Sequence, residues 1–177
     1  MHHEKLLRYN YRLISMSLET ISVSDYMSKN VKTIESNEPL YTVCKIMKES
    51  NIGSIIAINE NGDPVGMVTE RDIVCNMDSE NSNIRTEVHN IMSKPIITLY
   101  EMNSLKDALQ AMQTNNFRRL PVVNRERKLV GIITDKDIFK VILTNEELLS
   151  NISNDKNFQL PASILENYRA EIFKDIS

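Results

Sequence analysis

Thr69 and Asp72 stand three residues apart, and Thr134 and Asp137 repeat that spacing 65 residues further on. Each Thr closes the same kind of run, Gly66-Met67-Val68-Thr69 and Gly131-Ile132-Ile133-Thr134. An apolar run ending in T-x-x-D reads as a strand passing into a helix, with the Thr as N-cap. The start of a helix offers unpaired N–H groups and the positive end of the dipole, which favour a phosphate. The Thr hydroxyl adds a hydrogen bond, and an ionised Asp can accept from two vicinal ribose hydroxyls. A Gly lets backbone or ligand come close. The same four residues are also a helix capping box, which contributes about 0.5–2 kcal/mol with no ligand at all. One Thr can cap a helix and still face a cleft, so both readings stand.

Basic residues lie near these motifs. Arg118-Arg119 precedes an apolar run, and an Arg fork suits phosphate oxygens. The matching place in the first half holds Gly53-Ser54, without charge. Lys136 and Arg71 sit inside the motifs and Lys32 lies upstream; each either reaches phosphate or is solvated. Tyr41 and Tyr100 read as surface or packing residues. Arg118, Arg119, Arg125, Arg127 and Lys128 form a local basic group whose one neighbouring aromatic is Phe117, which argues against a nucleic-acid surface. No nucleophile stands beside a base, and there is no phosphate loop of the G-x-x-x-x-G-K-[ST] type. His2, His3, His89, Cys44 and Cys75 show no metal-ligand spacing. The expectation is a binding module and not an enzyme, with no required cofactor.

The elements that place these residues recur. At the 65-residue offset, Val23-Ser24-Asp25-Tyr26-Met27-Ser28-Lys29 matches Val88-His89-Asn90-Ile91-Met92-Ser93-Lys94, and Val65–Ile73 matches Val130–Ile138 without a gap. Each copy reads as an extended segment (Val31–Ile34, Ile96–Leu99), a helix, a buried strand (Ile55–Ile58, Leu120–Val123), a polar turn, a second strand (Val65–Val68, Val130–Ile133) and a last helix. Leu40, Val43, Cys44 and Met47 form the apolar face of the first long helix, with Pro39 in its first turn. Leu105, Ala108, Leu109 and Met112 form the face in the second copy, behind a Ser104/Asp107 capping box. Asn61-Gly62 signals a hairpin in copy one, and Arg125–Lys128 is the polar link in copy two.

Composition sets bounds. The chain has 177 residues, a net charge of −3, and 41% hydrophobic and 25% charged residues, as in an ordinary globular protein. No apolar stretch approaches the ~20 residues that span a bilayer, and residues 1–15 lack a signal-peptide core. Two cysteines without a disulfide framework suggest a reducing, cytoplasmic setting. The division expected is an N-terminal extension over 1–22, repeats over 23–75 and 88–143, a polar linker over 76–87, and a tail over 144–177 with a helix carrying Ile164, Leu165, Tyr168, Ile172 and Phe173.

The doubled V-x-[DN]-x-M opening and V-G-[MI]-[VI]-T-[ED]-[RK]-D-I ending resemble the CBS domain family, and two in tandem resemble a Bateman module. The resemblance covers about Val23–Leu143. It implies an α/β (α+β) fold in which two β-α-β-β-α repeats pack about a pseudo-twofold axis, with two related clefts between them. It further implies a non-enzymatic regulatory module that binds AMP, ADP or ATP, forms a homodimer and signals to an unknown partner. S-adenosyl compounds are an alternative ligand class, and a ligand-free docking scaffold is an alternative role. The uncharged Gly53-Ser54 puts equal use of the clefts in doubt. The cleft of Thr134, Asp137 and Arg119 is expected to be the stronger phosphate site, borrowing Ile52, Gly53 and Met27–Thr33 from copy one. The other is expected to borrow Phe117, Arg118 and Met92–Thr98.

Overall fold

A computed structural model of the chain describes residues 18–77 and 83–145; the expected tail helix lies outside the described residues. Helix α1 spans Val23–Tyr26, β1 Thr33–Glu35, α2 Leu40–Ser50, β2 Ser54–Ile58, β3 Pro64–Thr69 and α3 Glu70–Met77. A 3-10 turn at Val88–Asn90 opens the second half. It leads into strand β4 at Leu99–Tyr100, α4 at Leu105–Asn115, β5 at Arg119–Val123, β6 at Leu129–Thr134 and α5 at Asp135–Thr144. The β-α-β-β-α order occurs twice. Among the described residues no helix is long and apolar enough to cross a membrane.

The long helices form for the reasons their sequences give. Leu40, Val43 and Met47 are buried on α2, with Cys44 half-buried beside them; Leu105, Ala108 and Met112 are buried on α4. The Ser104 hydroxyl accepts from the Asp107 N–H, and the Asp107 carboxylate accepts from the Ser104 N–H. That second bond holds the Asp107 carboxyl below the usual carboxylate range. Its contribution is present above the unfolded pKa and fades as pH falls through the lower folded value. Helix α2 starts differently. Pro39 stands just before the first turn instead of within it, and makes no side-chain cap. The N–H groups of Leu40 and Tyr41 donate instead to the carbonyls of Thr86 and Ile84, so the linker supplies the cap. Both helices end on an Asn in the left-handed region, Asn51 and Asn116, a frequent C-terminal stop.

Each half builds one three-stranded sheet, in the orders β1-β2-β3 and β4-β5-β6. The outer pair is parallel in β1/β2 and β4/β5, and antiparallel in β2/β3 and β5/β6. The two sheets carry an irregularity at the same place, Ala57/Ile58 and Val122/Val123. They differ at the edge. The Ile56 N–H donates to the Lys32 carbonyl, whereas its counterpart Pro121 has no N–H to give. Strand β4 therefore begins only at Leu99, three residues later than the sequence suggests.

The lead-in segments cross over. Leu18 and Val23, which precede the first repeat, are buried in the core of the second with Leu105, Leu120, Ile133 and Ile138. Val88, which precedes the second repeat, is buried in the core of the first with Leu40, Val43, Ile55 and Val68. The halves also meet at equivalent positions. Arg119 Nη1 donates to Ser54 Oγ at 2.5 Å, and Lys128 Nζ lies 2.6 Å from Asp63 Oδ1. Both contacts join residues 65 apart, which is the repeat offset. A residue that touches its own equivalent lies on a twofold axis, so the pseudo-twofold packing is a property of this chain.

Gly62 and Arg127, also equivalent, both take positive φ, 77° and 62°. Only Gly does so freely; other residues lose about 1–2 kcal/mol in the left-handed region. Replacing Arg127 with Gly should stabilise the chain by about 1 kcal/mol and raise the thermal midpoint by roughly 2–4 °C. A calorimetric scan checks this; a lower midpoint would mean that the turn is not strained.

Candidate functional site

Each T-x-x-D motif stands where a last strand passes into a last helix. The Asp72 Oδ2 accepts from the Thr69 N–H and hydroxyl, both at 2.7 Å, while the Asp72 N–H donates to Thr69 Oγ1 at 3.3 Å. The Asp137 Oδ2 accepts from the Thr134 N–H at 2.8 Å and hydroxyl at 2.7 Å, and the Asp137 N–H donates to Thr134 Oγ1 at 3.2 Å. These are complete capping boxes. All four side chains are half-buried, neither turned fully to water nor sealed in a core.

Capping leaves one oxygen of each carboxylate, and the two sites use it differently. Asp72 Oδ1 accepts from Ser93 Oγ at 3.2 Å. Ser93 comes from the second lead-in, held against β3 by two backbone bonds with Met67. Ser28 occupies the equivalent place against Ile132, yet among the described residues its hydroxyl makes no bond to Asp137. The carboxylate at the second site thus retains its Oδ1 for a hydroxyl donor. Ser93 lies in the Met92–Thr98 segment that the sequence assigns to this cleft, although its hydroxyl is not singled out there.

The glycines of the motifs serve this arrangement. A Cβ on Gly131 would fall on the Met27 side chain, and one on Gly66 on the Met92 side chain. The close approach foreseen for these glycines is taken up by the crossing lead-ins and not left open for a ligand.

Ser54 pairs with Thr69 in one sheet, and Arg119 with Thr134 in the other. The Arg119–Ser54 bond therefore joins the two caps in one row, Thr69–Ser54–Arg119–Thr134, across the axis. The sequence assigns Ile52 and Gly53 to the cleft of Thr134. Ile52 is partly buried against the first core, and the Gly53 carbonyl accepts from the Glu70 N–H beside the first cap. Their neighbour Ser54 is the residue that crosses. Arg118 is exposed, with its Nε 3.9 Å from Asp135 Oδ2, too far for a firm ion pair. Lys32, Arg71 and Lys136 are exposed, and Phe117 is 41% exposed. Tyr41 and Tyr100 lie at the surface. The basic group of the second half is dispersed: Arg119 turns to Ser54 and Lys128 to Asp63.

A cavity of about 300 Å³ opens beside Asp137, walled by Asp25, Tyr26 and Met27 of the first lead-in and by Lys140, Val141 and Thr144 of α5. Sequence reasoning did not single out Asp25, Tyr26 or Lys140. Lys140 stands three residues beyond Asp137, on the same helical face. Another cavity of about 290 Å³ lies at the opposite end of β1 and β2, between Glu35 and Asn61, with neither cap nor cation in its wall. The cavity beside Asp137 has the chemistry for a small polar molecule: carboxylates for hydroxyl groups, an ammonium for an anion, and partly apolar walls.

Comparison with known proteins places this geometry. The CBS domain family model matches residues 23–78 and 88–144. An uncharacterized protein of Methanopyrus kandleri is 34% identical over 125 residues, 70% of this chain and 64% of that protein. The CBS domain-containing protein YhcV of Bacillus subtilis is 33% identical over 133 residues, 75% of this chain and 94% of that protein. The crystal structure of the CBS domain pair of protein MJ0100, in complex with 5′-methylthioadenosine and S-adenosyl-L-methionine, is similar with a TM-score of 0.62 and 29% identity, covering 68% of this chain and 94% of that one.

The cap at Thr134 has a consequence independent of any ligand. Thr134→Ala should cost about 1 kcal/mol, read as a lower urea midpoint without added nucleotide. An unchanged midpoint would mean that the hydroxyl does not cap α5.

Proposed function

Because this chain belongs to the CBS domain family, as a tandem pair, we propose that it is a non-enzymatic regulatory module that binds an adenine nucleotide in the cleft at Asp137. The observation that carries the proposal is the difference between the two carboxylates. Asp72 spends its second oxygen on Ser93, and Asp137 keeps the equivalent oxygen for the ribose. The cavity lies on the Asp137 side. In this reading Thr134 and the start of α5 face the phosphate, Arg119 on the axis and Lys140 supply the positive charge, and Met27 walls the base. Lys136 and Lys32 serve as further cations at the rim, while Arg71 and Arg118 do so near Asp72. Binding by the pair from MJ0100 of two adenosyl ligands supports the adenosine part of the ligand. It also keeps S-adenosyl-L-methionine in the panel beside AMP, ADP and ATP.

The ligand acts by favouring one arrangement of the repeats over another, and only through its different affinity for the two. A partner reads that arrangement. The homodimer implied by the family has an apolar surface to use, since α3 buries none of its residues and leaves Val74 67% and Met77 56% exposed. Cys44 and Cys75 are both free thiols, in keeping with a cytoplasmic setting.

Titration calorimetry and thermal shift with AMP, ADP, ATP and S-adenosyl-L-methionine test this. At least one should bind, and a ligand at 100 times its Kd should stabilise the chain by about 2.7 kcal/mol. Asp137→Ala should weaken binding more than Asp72→Ala, measured where both variants are folded. If none of the four binds at millimolar concentration, the module is a ligand-free scaffold. If the order of the two variants is reversed, the ligand sits in the other cleft.

A further inference from the structure

The two contacts on the pseudo-twofold axis join unlike residues. Asp63 of the first repeat meets Lys128 of the second at 2.6 Å, and Lys128 also donates to the Asn61 carbonyl at 2.8 Å. Ser54 of the first meets Arg119 of the second. Positions on a twofold axis have a particular property: whatever one half places there faces the same position of its partner. Were two second repeats from different chains to pair in this geometry, Lys128 would face Lys128 and Arg119 would face Arg119. Were two first repeats to pair, Asp63 would face Asp63. The two repeats share one fold and nearly one apolar pattern, so burial of apolar surface alone does not tell like pairing from unlike.

We propose that the Asp63–Lys128 and Ser54–Arg119 contacts form a pairing code, which matches each repeat with the other kind and sets two copies of the same repeat against one another. The Lys128 and Asp63 side chains are 49% and 39% exposed. A pair that open to water adds little stability by itself. Its effect lies in the alternatives it penalises, because discrimination is a difference between right and wrong partners and like charges brought together repel. Asp63 responds to this partner: the hydrogen bond from Lys128 is the first cause that holds its carboxyl below the ordinary range. The turn around it is braced to present that carboxylate, with the Asn59 side chain accepting from the Asn61 and Asp63 N–H groups at 3.0 and 2.9 Å.

A charge-exchange cycle in the full chain tests the code. Asp63→Lys and Lys128→Asp each place like charges on the axis, and each should lower the thermal midpoint by roughly 2–4 °C at low salt. The combined Asp63→Lys, Lys128→Asp chain restores opposite charges in reversed order and should return to within about a degree of the parent. The deficits of the single variants should shrink at 1 M salt, where screening is nearly complete. A role in turn structure alone would make the double variant as unstable as the two singles combined. That result, or single variants with no deficit at low salt, overturns the proposal.

Discussion

Val23 and Val88 are fully buried, each in the core of the repeat it does not precede, and the rest of the arrangement depends on that crossed burial. Placing a valine in a core is worth about 1.5–3 kcal/mol, so neither lead-in can stay with its own repeat without leaving a hole in the other. The crossing also positions the residues just beyond each valine. Met27 comes to rest on Gly131 and Met92 on Gly66, and Ser28 and Ser93 are stitched to β6 and β3. The T-x-x-D caps therefore face segments from the opposite half. Grooves with walls from both repeats arise from packing before any ligand is considered.

Symmetry produces two such grooves, and sequence divergence makes them unequal. One serine hydroxyl bonds its carboxylate and the equivalent serine does not. One central strand has an Ile N–H that holds its neighbour, and the other has Pro121. One turn has Gly62, and the other forces Arg127 into the same backbone region. None of these differences disturbs the common framework, because each sits at an edge, a turn or a surface. A duplicated unit can specialise in this way, keeping its apolar positions and changing the polar ones that face a partner or a solute.

Much of this was legible in the sequence. The 65-residue offset, the apolar faces of α2 and α4 and the Ser104 box are local patterns, and local patterns survive folding. The T-x-x-D caps were legible for the same reason, since all three bonds run within four residues. What escaped was set by contacts between distant segments. The linker cap on α2, through Ile84 and Thr86, has no local signal, and the second partner of Asp72 was narrowed only to the Met92–Thr98 segment. That Ser54 makes the bond across to Arg119 depends on where the axis falls, which spacing alone does not give. The late start of β4 was readable in principle, because Pro121 stands in an otherwise central strand.

On the proposed function, the crossed lead-ins leave Asp137 with an open carboxylate oxygen in a cleft that fits an adenosine sugar. A crystal structure of the full chain grown with the tightest ligand of the panel tests it most directly. The expected result is density for a ribose on Asp137 Oδ1, with the phosphate, or the carboxylate of S-adenosyl-L-methionine, toward Arg119 or Lys140. Ligand density confined to the Asp72 side, or to the cavity between Glu35 and Asn61, would contradict it.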